Sequence, residues 1–342
     1  MPDIELRFNK DMLVLSAPID AMLARQGIDA SRDRQYLNLM EPDVIHDALN
    51  LEIVAGANCL VTTTEDITQA RLAHVRMDGD ATRLAGAAVS IASELKPHHV
   101  LAEIGPCDLP LDASSKASLN EHRGQYAEAA RAFDKQPIDA FFLSGFTNVT
   151  DLKCALMGVA QVSGKPIFAS VSIGETILEP VAIEKGAEAP AELVGMGPGA
   201  SLVDVGAGDA PSFSGAKRAC APMPVEKWAE ALAVMQDFGA AVVGFETADS
   251  ISRAVALVQQ AAELTTLPIL AQLHVNPSVI SKKISALVPL ADRDELALDT
   301  METAAVRLYA AGAQFLRATG AATPAYTGAL AATISGLDVR CR

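Results

Sequence analysis

The polar residues that end or directly follow the short apolar runs of this chain are Asp20, Glu65, Asp66, Glu103, Cys107, Asp108, Ser144, Ser172, Glu246, His274, Asn276 and Arg317. They form an acidic set with one imidazole and one guanidinium. His274, in Leu273-His274-Val275-Asn276, is the imidazole of the set, and a carboxylate beside it would make it a proton carrier. Glu246, Glu103 and His274 are therefore the candidate catalytic residues. Arg317 has two readings: it neutralises Glu246, or it clamps a substrate carboxylate through its planar fork of donors. With Asp20, Glu65, Ser144, Cys107 and Asn276 it makes up the candidate substrate-binding set. The same oxygens and nitrogens could hold a hard or borderline cation, although carboxylates in loops also simply bond to those loops. Cys107, behind Gly105-Pro106, is the thiol worth testing for reactivity, with an inert loop cysteine as the plain alternative. His46, His74, His98, His99 and His122 read as residues of solvated faces, and Cys59 and Cys154 as buried small hydrophobes.

Such groups act together only if the fold gathers the ends of their strands. Eight apolar, β-branched runs are legible: Met12–Leu15, Cys59–Thr64, Val100–Ile104, Ala140–Leu143, Ile167–Val171, Ala241–Phe245, Ile269–Leu273 and Gln314–Leu316. Between them Pro42–Ala55, Ala81–Glu94, Ser118–Phe133, Asp151–Val162, Val225–Phe238, Ser250–Leu264 and Asp292–Ala311 carry apolar residues at helical spacing. Thr323-Pro324 opens one more helix. Strand–helix alternation repeated eight times predicts a single-domain α/β fold, a (β/α)8 TIM barrel spanning 1–342, with an open doubly wound sheet as the competitor. In a barrel the strand ends named above surround one mouth. Gly174–Ala221, rich in Gly, Ala and Pro, breaks the rhythm and is expected to be an irregular insertion or lid over that mouth.

Composition sets the outer bounds. The chain has 342 residues, half of them hydrophobic, and a net charge of −15, which argues against nucleic acid and anionic membrane as partners. Its five cysteines are odd in number and scattered, as in a reducing compartment, so a cytoplasmic protein is expected. Neither a signal peptide nor a run of membrane-spanning length is expected.

Leu37-Asn38-Leu39, Glu41-Pro42-Asp43-Val44, Ala55-Gly56-Ala57, Glu103-Ile104-Gly105-Pro106, Asp151-Leu152-Lys153 and the closing Thr319-Gly320-Ala321-Ala322-Thr323-Pro324 stand in the order of the homocysteine S-methyltransferase family, which this chain resembles. The resemblance runs from Leu13 to about Leu330 and implies the barrel fold and methyl transfer in one-carbon metabolism. It also implies a catalytic zinc held by three cysteines, and here the chain departs. The family's Gly-x-Asn-Cys corresponds to Gly244-Phe245-Glu246-Thr247, and its paired cysteines correspond to Thr319 and Gly320. The Glu-Thr whose acid receives the substrate's ammonium group is Ser144-Gly145, and the Gly-rich opening is Ser16-Ala17-Pro18-Ile19-Asp20-Ala21. Thr247, Thr319 and Gly320 supply no thiolate, so zinc is not expected and no other tightly bound cofactor is either.

The resemblance therefore implies a methyltransferase-like protein acting on a small-molecule substrate without the zinc–thiolate site. It would work with a corrinoid or folate methyl carrier on a separate, corrinoid-binding protein. The alternative is a non-catalytic barrel, a pseudoenzyme that binds a ligand or partner. A third reading keeps homocysteine methylation with an unorthodox metal site. The sequence leaves a homo-oligomer open.

Overall fold

Strands that are apolar on both faces are satisfied only in a sheet covered on both sides. In the computed structural model, which describes residues 3–175, 221–277, 293–335 and 337 (side chains at 31–33 excepted), this is what they form. The strands are β1 Leu13–Val14, β2 Cys59–Val61, β3 His99–Ile104, β4 Ala140–Phe146, β5 Ile167–Ser172, β6 Val242–Thr247, β7 Ile269–Val275 and β8 Phe315–Gly320. All pairings are parallel, in sequence order from β2 to β8, and β8 pairs with β1. A parallel bridge from Leu15 to Cys59 joins β1 to β2 and closes the (β/α)8 barrel.

Around it lie α1 Asp20–Arg25, α2 Ala30–Met40, α3 Pro42–Ala55, α4 Gln69–His74, α5 Ala81–Glu94, α6 Lys116–Arg131, α7 Val149–Val162, α8 Trp228–Asp237, α9 Ile251–Leu264, α10 Met301–Ala311 and α11 Pro324–Ile334. Helices α3 and α5 span the ranges their periodicity predicts. Helices α1, α2 and α4 escape that criterion. Two of them are six residues long, and α2 carries Arg34, Gln35 and Asn38 where an apolar stripe would be sought. No helix among the described residues is long and apolar enough to cross a membrane. Of the expected irregular segment Gly174–Ala221, all but Gly174, Glu175 and Ala221 lies outside the described residues, as does the expected helix start at Asp292.

Side chains alternate across each strand, and the two faces meet different solvents. Outward residues such as Val14, Leu143, Val243, Phe245, Ala271 and Leu316 pack under the helices. Inward residues Leu13, Leu15, Val61, Leu101, Phe142, Phe168, Val242, Leu270 and Phe315 fill the lower barrel. Ile4, on a short 3-10 turn over Ile4–Arg7, plugs its base, and Phe8 stands edge-on to Phe168 and Phe315 at 5.9 and 6.0 Å. Above this floor the inward positions turn polar: Glu103, Ser144, Ser170, Gln272 and Arg317, then Ser172, Glu246, His274 and Thr319. Strands β4, β7 and β8 run beyond their apolar stretches for this reason. Their last inward residues are polar, which hides them from a hydrophobicity criterion.

His99 corrects one expectation. It begins β3 fully buried, 3.8 Å from Asp139, rather than lying on a solvated face. Cys59 and Cys154 are buried as expected.

Helices α6 and α7 approach closely. A Cβ on Gly158 would lie 2.5 Å from the Arg123 carbonyl oxygen and 3.0 Å from the Ala127 nitrogen, both backbone atoms that cannot swing aside. Gly158→Ala is therefore expected to cost about 1–3 kcal/mol. The readout is a lower urea midpoint at unchanged slope; an unchanged midpoint would show that the two helices are not held at this distance.

Candidate functional site

The middle layer of the barrel is built on a buried ion pair. Arg317, 2% exposed, places Nη1 3.0 Å from Glu103 Oε1 and 3.2 Å from Gln272 Oε1, and its Nε donates to the Ser16 carbonyl at 2.9 Å. Its guanidinium carbon stands 5.1 Å from the centre of the Phe142 ring, so the aromatic floor faces the cation. Glu103 also accepts the Ser144 hydroxyl at 2.8 Å, and Gln272 donates to Ser170 at 2.7 Å. Burial pushes the Glu103 carboxyl up, the Arg317 charge opposes that, and the Glu65 charge adds to it. Arg317 thus neutralises Glu103. The sequence reading that Arg317 neutralises Glu246 is corrected, because its Nε and Nη1 bond Ser16, Glu103 and Gln272 while Glu246 is held by other residues.

Those residues form the upper layer. Glu246 Oε1 lies 2.9 Å from His274 Nδ1 and accepts the Thr319 hydroxyl at 2.5 Å, while Oε2 accepts the Ser172 hydroxyl at 3.0 Å. Burial would raise the Glu246 carboxyl. The His274 hydrogen bond and charge, with the two hydroxyls, outweigh burial and hold it at about 2. As a carboxylate Glu246 accepts, so Nδ1 is the donor, and in the neutral form of the imidazole Nε2 presents its lone pair. That Nε2 is buried and has no hydrogen-bond partner among the described residues. It faces Gly320, where a Cβ would come within 2.7 Å of it and within 2.6 Å of the Val275 carbonyl, at a φ of +67°. No side chain fits at position 320 while the imidazole stands there.

The rim is a third cluster. Arg34, on α2, binds Asp20 at 2.7 Å and Glu65 at 2.9 Å, and its pKa is raised because these carboxylates and Asp66 outweigh the effect of burial. Gln35 donates to Asp66 at 2.8 Å, and Arg71 binds both Asp66 and Asp108. Arg34 is the site residue that sequence reasoning missed; the available signal was an acidic ring with too few cations. Between Arg34 and Arg317, lined also by Asp20, Thr62 and Glu103, lies a cavity of about 10 Å³, barely one water molecule.

Two candidate binding residues do not join these clusters. Asn276 follows β7, and its buried Oδ1 has no partner among the described residues. Cys107 is fully buried behind the mouth, its Sγ 3.4 Å from His122 Nδ1 and its amide donating to Tyr126 Oη at 3.0 Å. Burial pushes its thiol up and Asp151 adds to the rise, so the expected test for a reactive mouth thiol meets an enclosed, protonated one. His122 is 1% exposed, which corrects its assignment to a solvated face.

The donors at the mouth do not fit a zinc ion held by three thiolates. Thr319 is committed to Glu246, Gly320 has no side chain, and the Thr247 hydroxyl accepts from the Asp249 amide at 3.3 Å. Alternation along β6 makes Glu246, not Thr247, the inward residue. The described cysteines, Cys59, Cys107 and Cys154, are all elsewhere; Cys220 and Cys341 lie outside the described residues.

The family model of homocysteine S-methyltransferase matches residues 13–206, more than half of the chain. Among solved structures, the metallated form of the homocysteine methyltransferase MmuM from Escherichia coli superposes with a TM-score of 0.64 at 15% identity, covering 94% of this chain and 96% of that one. Its oxidised form gives 0.64 at 13% identity with the same coverage. At such identity the likeness is one of fold. The sequence matches none of the curated proteins with which it was compared.

The depressed Glu246 carboxyl has a signed consequence for stability. Its contribution is present above its ordinary value of 4.5 and is lost as the pH falls toward about 2. Wild type is expected to exceed Glu246→Gln by about 3 kcal/mol at neutral pH, with the gap closing on acidification through that window. Urea titrations at a series of pH values measure it, and a gap that stays constant down to the acid end would show that Glu246 is not held ionised by its neighbours.

Proposed function

We propose, from the premise that this chain belongs to the homocysteine S-methyltransferase family, that it moves a methyl group onto a small nucleophile using Glu246 and His274 in place of a zinc–thiolate site. The observation that carries this reading is the buried, unpartnered His274 Nε2 beside Gly320, with Nδ1 committed to Glu246. A thiol nucleophile has a pKa near 8.5 and must lose its proton to attack. In the three-thiolate site that ionisation is the work of the metal. Here Nε2 takes the proton. The nucleophile's electron pair forms the bond to the methyl carbon, and the donor leaves with the pair of the bond that breaks. Glu246 stabilises the resulting imidazolium through Nδ1, and Ser172 and Thr319 keep the carboxylate aimed. The Arg317–Glu103 pair closes the barrel below, confining a substrate to the upper layer.

A small molecule is the substrate on this reading, with homocysteine the acceptor named for the family. The methyl donor comes from a separate corrinoid or folate carrier protein, as the sequence resemblance implies, and the setting is cytoplasmic one-carbon metabolism. A second reading has its own support. The charges of the middle layer and rim are satisfied among themselves, and the cavity between them is about 10 Å³, which suits a barrel that binds without turnover.

The test is methyl transfer to homocysteine from methylcobalamin or 5-methyltetrahydrofolate, using chelator-treated protein. His274→Ala is expected to lower kcat by about 10²–10⁴-fold, and Glu246→Gln to lower it less. Homocysteine binding without turnover by the wild type would favour the non-catalytic barrel. Activity that disappears with the chelator and returns with zinc, in Cys107→Ser as in the wild type, would refute the metal-free mechanism.

A further inference from the structure

Outside the barrel mouth, three elements bring unlike donor atoms to one point: Cys107 from the loop after β3, His122 from α6 and Asp151 from the first turn of α7. Their ligand atoms all lie within 4.8 Å of one another. We propose that Cys107 Sγ, His122 Nδ1 and an Asp151 carboxylate oxygen form a binding site for a divalent cation of zinc's class, one that ties the β3–α6 loop to α6 and α7.

Hydrogen bonding alone serves this group poorly. His122 Nδ1 is 2.8 Å from Asp151 Oδ1 and 3.4 Å from Cys107 Sγ. One imidazole nitrogen carries at most one proton. Given to Asp151, that proton removes the lone pair an S–H would need. Withheld, it leaves the imidazole lone pair facing a carboxylate. A cation at the centre faces three lone pairs and resolves the conflict.

The chemistry and spacing agree with that ion. Sulfur, imidazole nitrogen and carboxylate oxygen are the donor types zinc takes. A tetrahedral zinc with such ligands sets sulfur and nitrogen about 3.5 Å apart, close to the 3.4 Å seen here. The carboxylate, now at hydrogen-bonding distance, has to draw back by roughly half an ångström. Tyr126 supports two members of the group, donating to Asp151 Oδ1 at 2.8 Å and accepting from the Cys107 amide at 3.0 Å. Asn148 caps α7, accepting the Asp151 amide at 3.3 Å, and so fixes the turn from which the carboxylate projects. Asp151 keeps 13% of its side chain exposed against 2% for His122, which gives an entry path and a place for water as fourth ligand. Binding expels the Cys107 thiol proton.

Metal content of the full chain tests this. After equilibration with zinc and gel filtration, the wild type is expected to hold about one zinc per chain. Cys107→Ser and His122→Gln are expected to weaken binding at least about tenfold, and His274→Ala to leave it unchanged. Cobalt in place of zinc should show a sulfur-to-metal charge-transfer band in the wild type, a readout that needs no variant to fold. Absence of that band, zinc retained by both Cys107→Ser and His122→Gln, or zinc lost from His274→Ala alone would each overturn the proposal. Because the mouth variant and the Cys107 variant are read separately, failure here leaves the reading of Glu246 and His274 untouched.

Discussion

A guanidinium inside a barrel must be neutralised, and that requirement organises everything above the apolar floor. Arg317 enters the interior because β8 alternates, with Phe315 below it and Thr319 above it on the same face. With room beside it for barely one water molecule, Glu103 from β3, Gln272 from β7 and the Ser16 carbonyl solvate it. Replacing one partner would leave a buried charge without compensation, at a cost of roughly 3–5 kcal/mol. The pair thereby links β1, β3, β7 and β8 across the lumen and sets how deep anything entering from the mouth can go.

The upper layer inherits its chemistry from that closure. With Arg317 consumed by Glu103, Glu246 is left to His274, Thr319 and Ser172, which keep it ionised despite burial. The carboxylate in turn sets the tautomer of His274, and the tautomer leaves Nε2 as the acceptor. Gly320 belongs to the same arrangement. Position 320 is closed to a side chain by its positive φ, by the Val275 carbonyl and by the imidazole, so no thiol can stand there beside His274 as it is placed.

Ser144 shows a related exchange. Where the family resemblance places an acid that receives an ammonium group, a hydroxyl instead supports Glu103, and Glu103 meets an arginine of the chain itself. The rim repeats the theme, with Arg34 between Asp20 and Glu65. The negative groups of the middle layer and the rim therefore sit in clusters that each contain their own cation.

The barrel was legible in the sequence because its evidence is local: eight apolar runs, periodic helices between them, and motifs in a fixed order. The absence of cysteine at Thr247, Thr319 and Gly320 was legible for the same reason, since residue identity needs no coordinates. Glu246 and His274 could be singled out as strand-end residues, and the structure joins them. The partner of Arg317, the service of Arg34, the burial of His122 and the convergence of Cys107, His122 and Asp151 were not legible. Each depends on residues far apart in the chain, such as Glu103 and Arg317 at a separation of 214, whose meeting is set by strand stagger and helix packing. Periodicity tells which way a side chain points, but only the closed barrel decides what it points at, because that is settled by the geometry of the whole circuit and not by any segment of it.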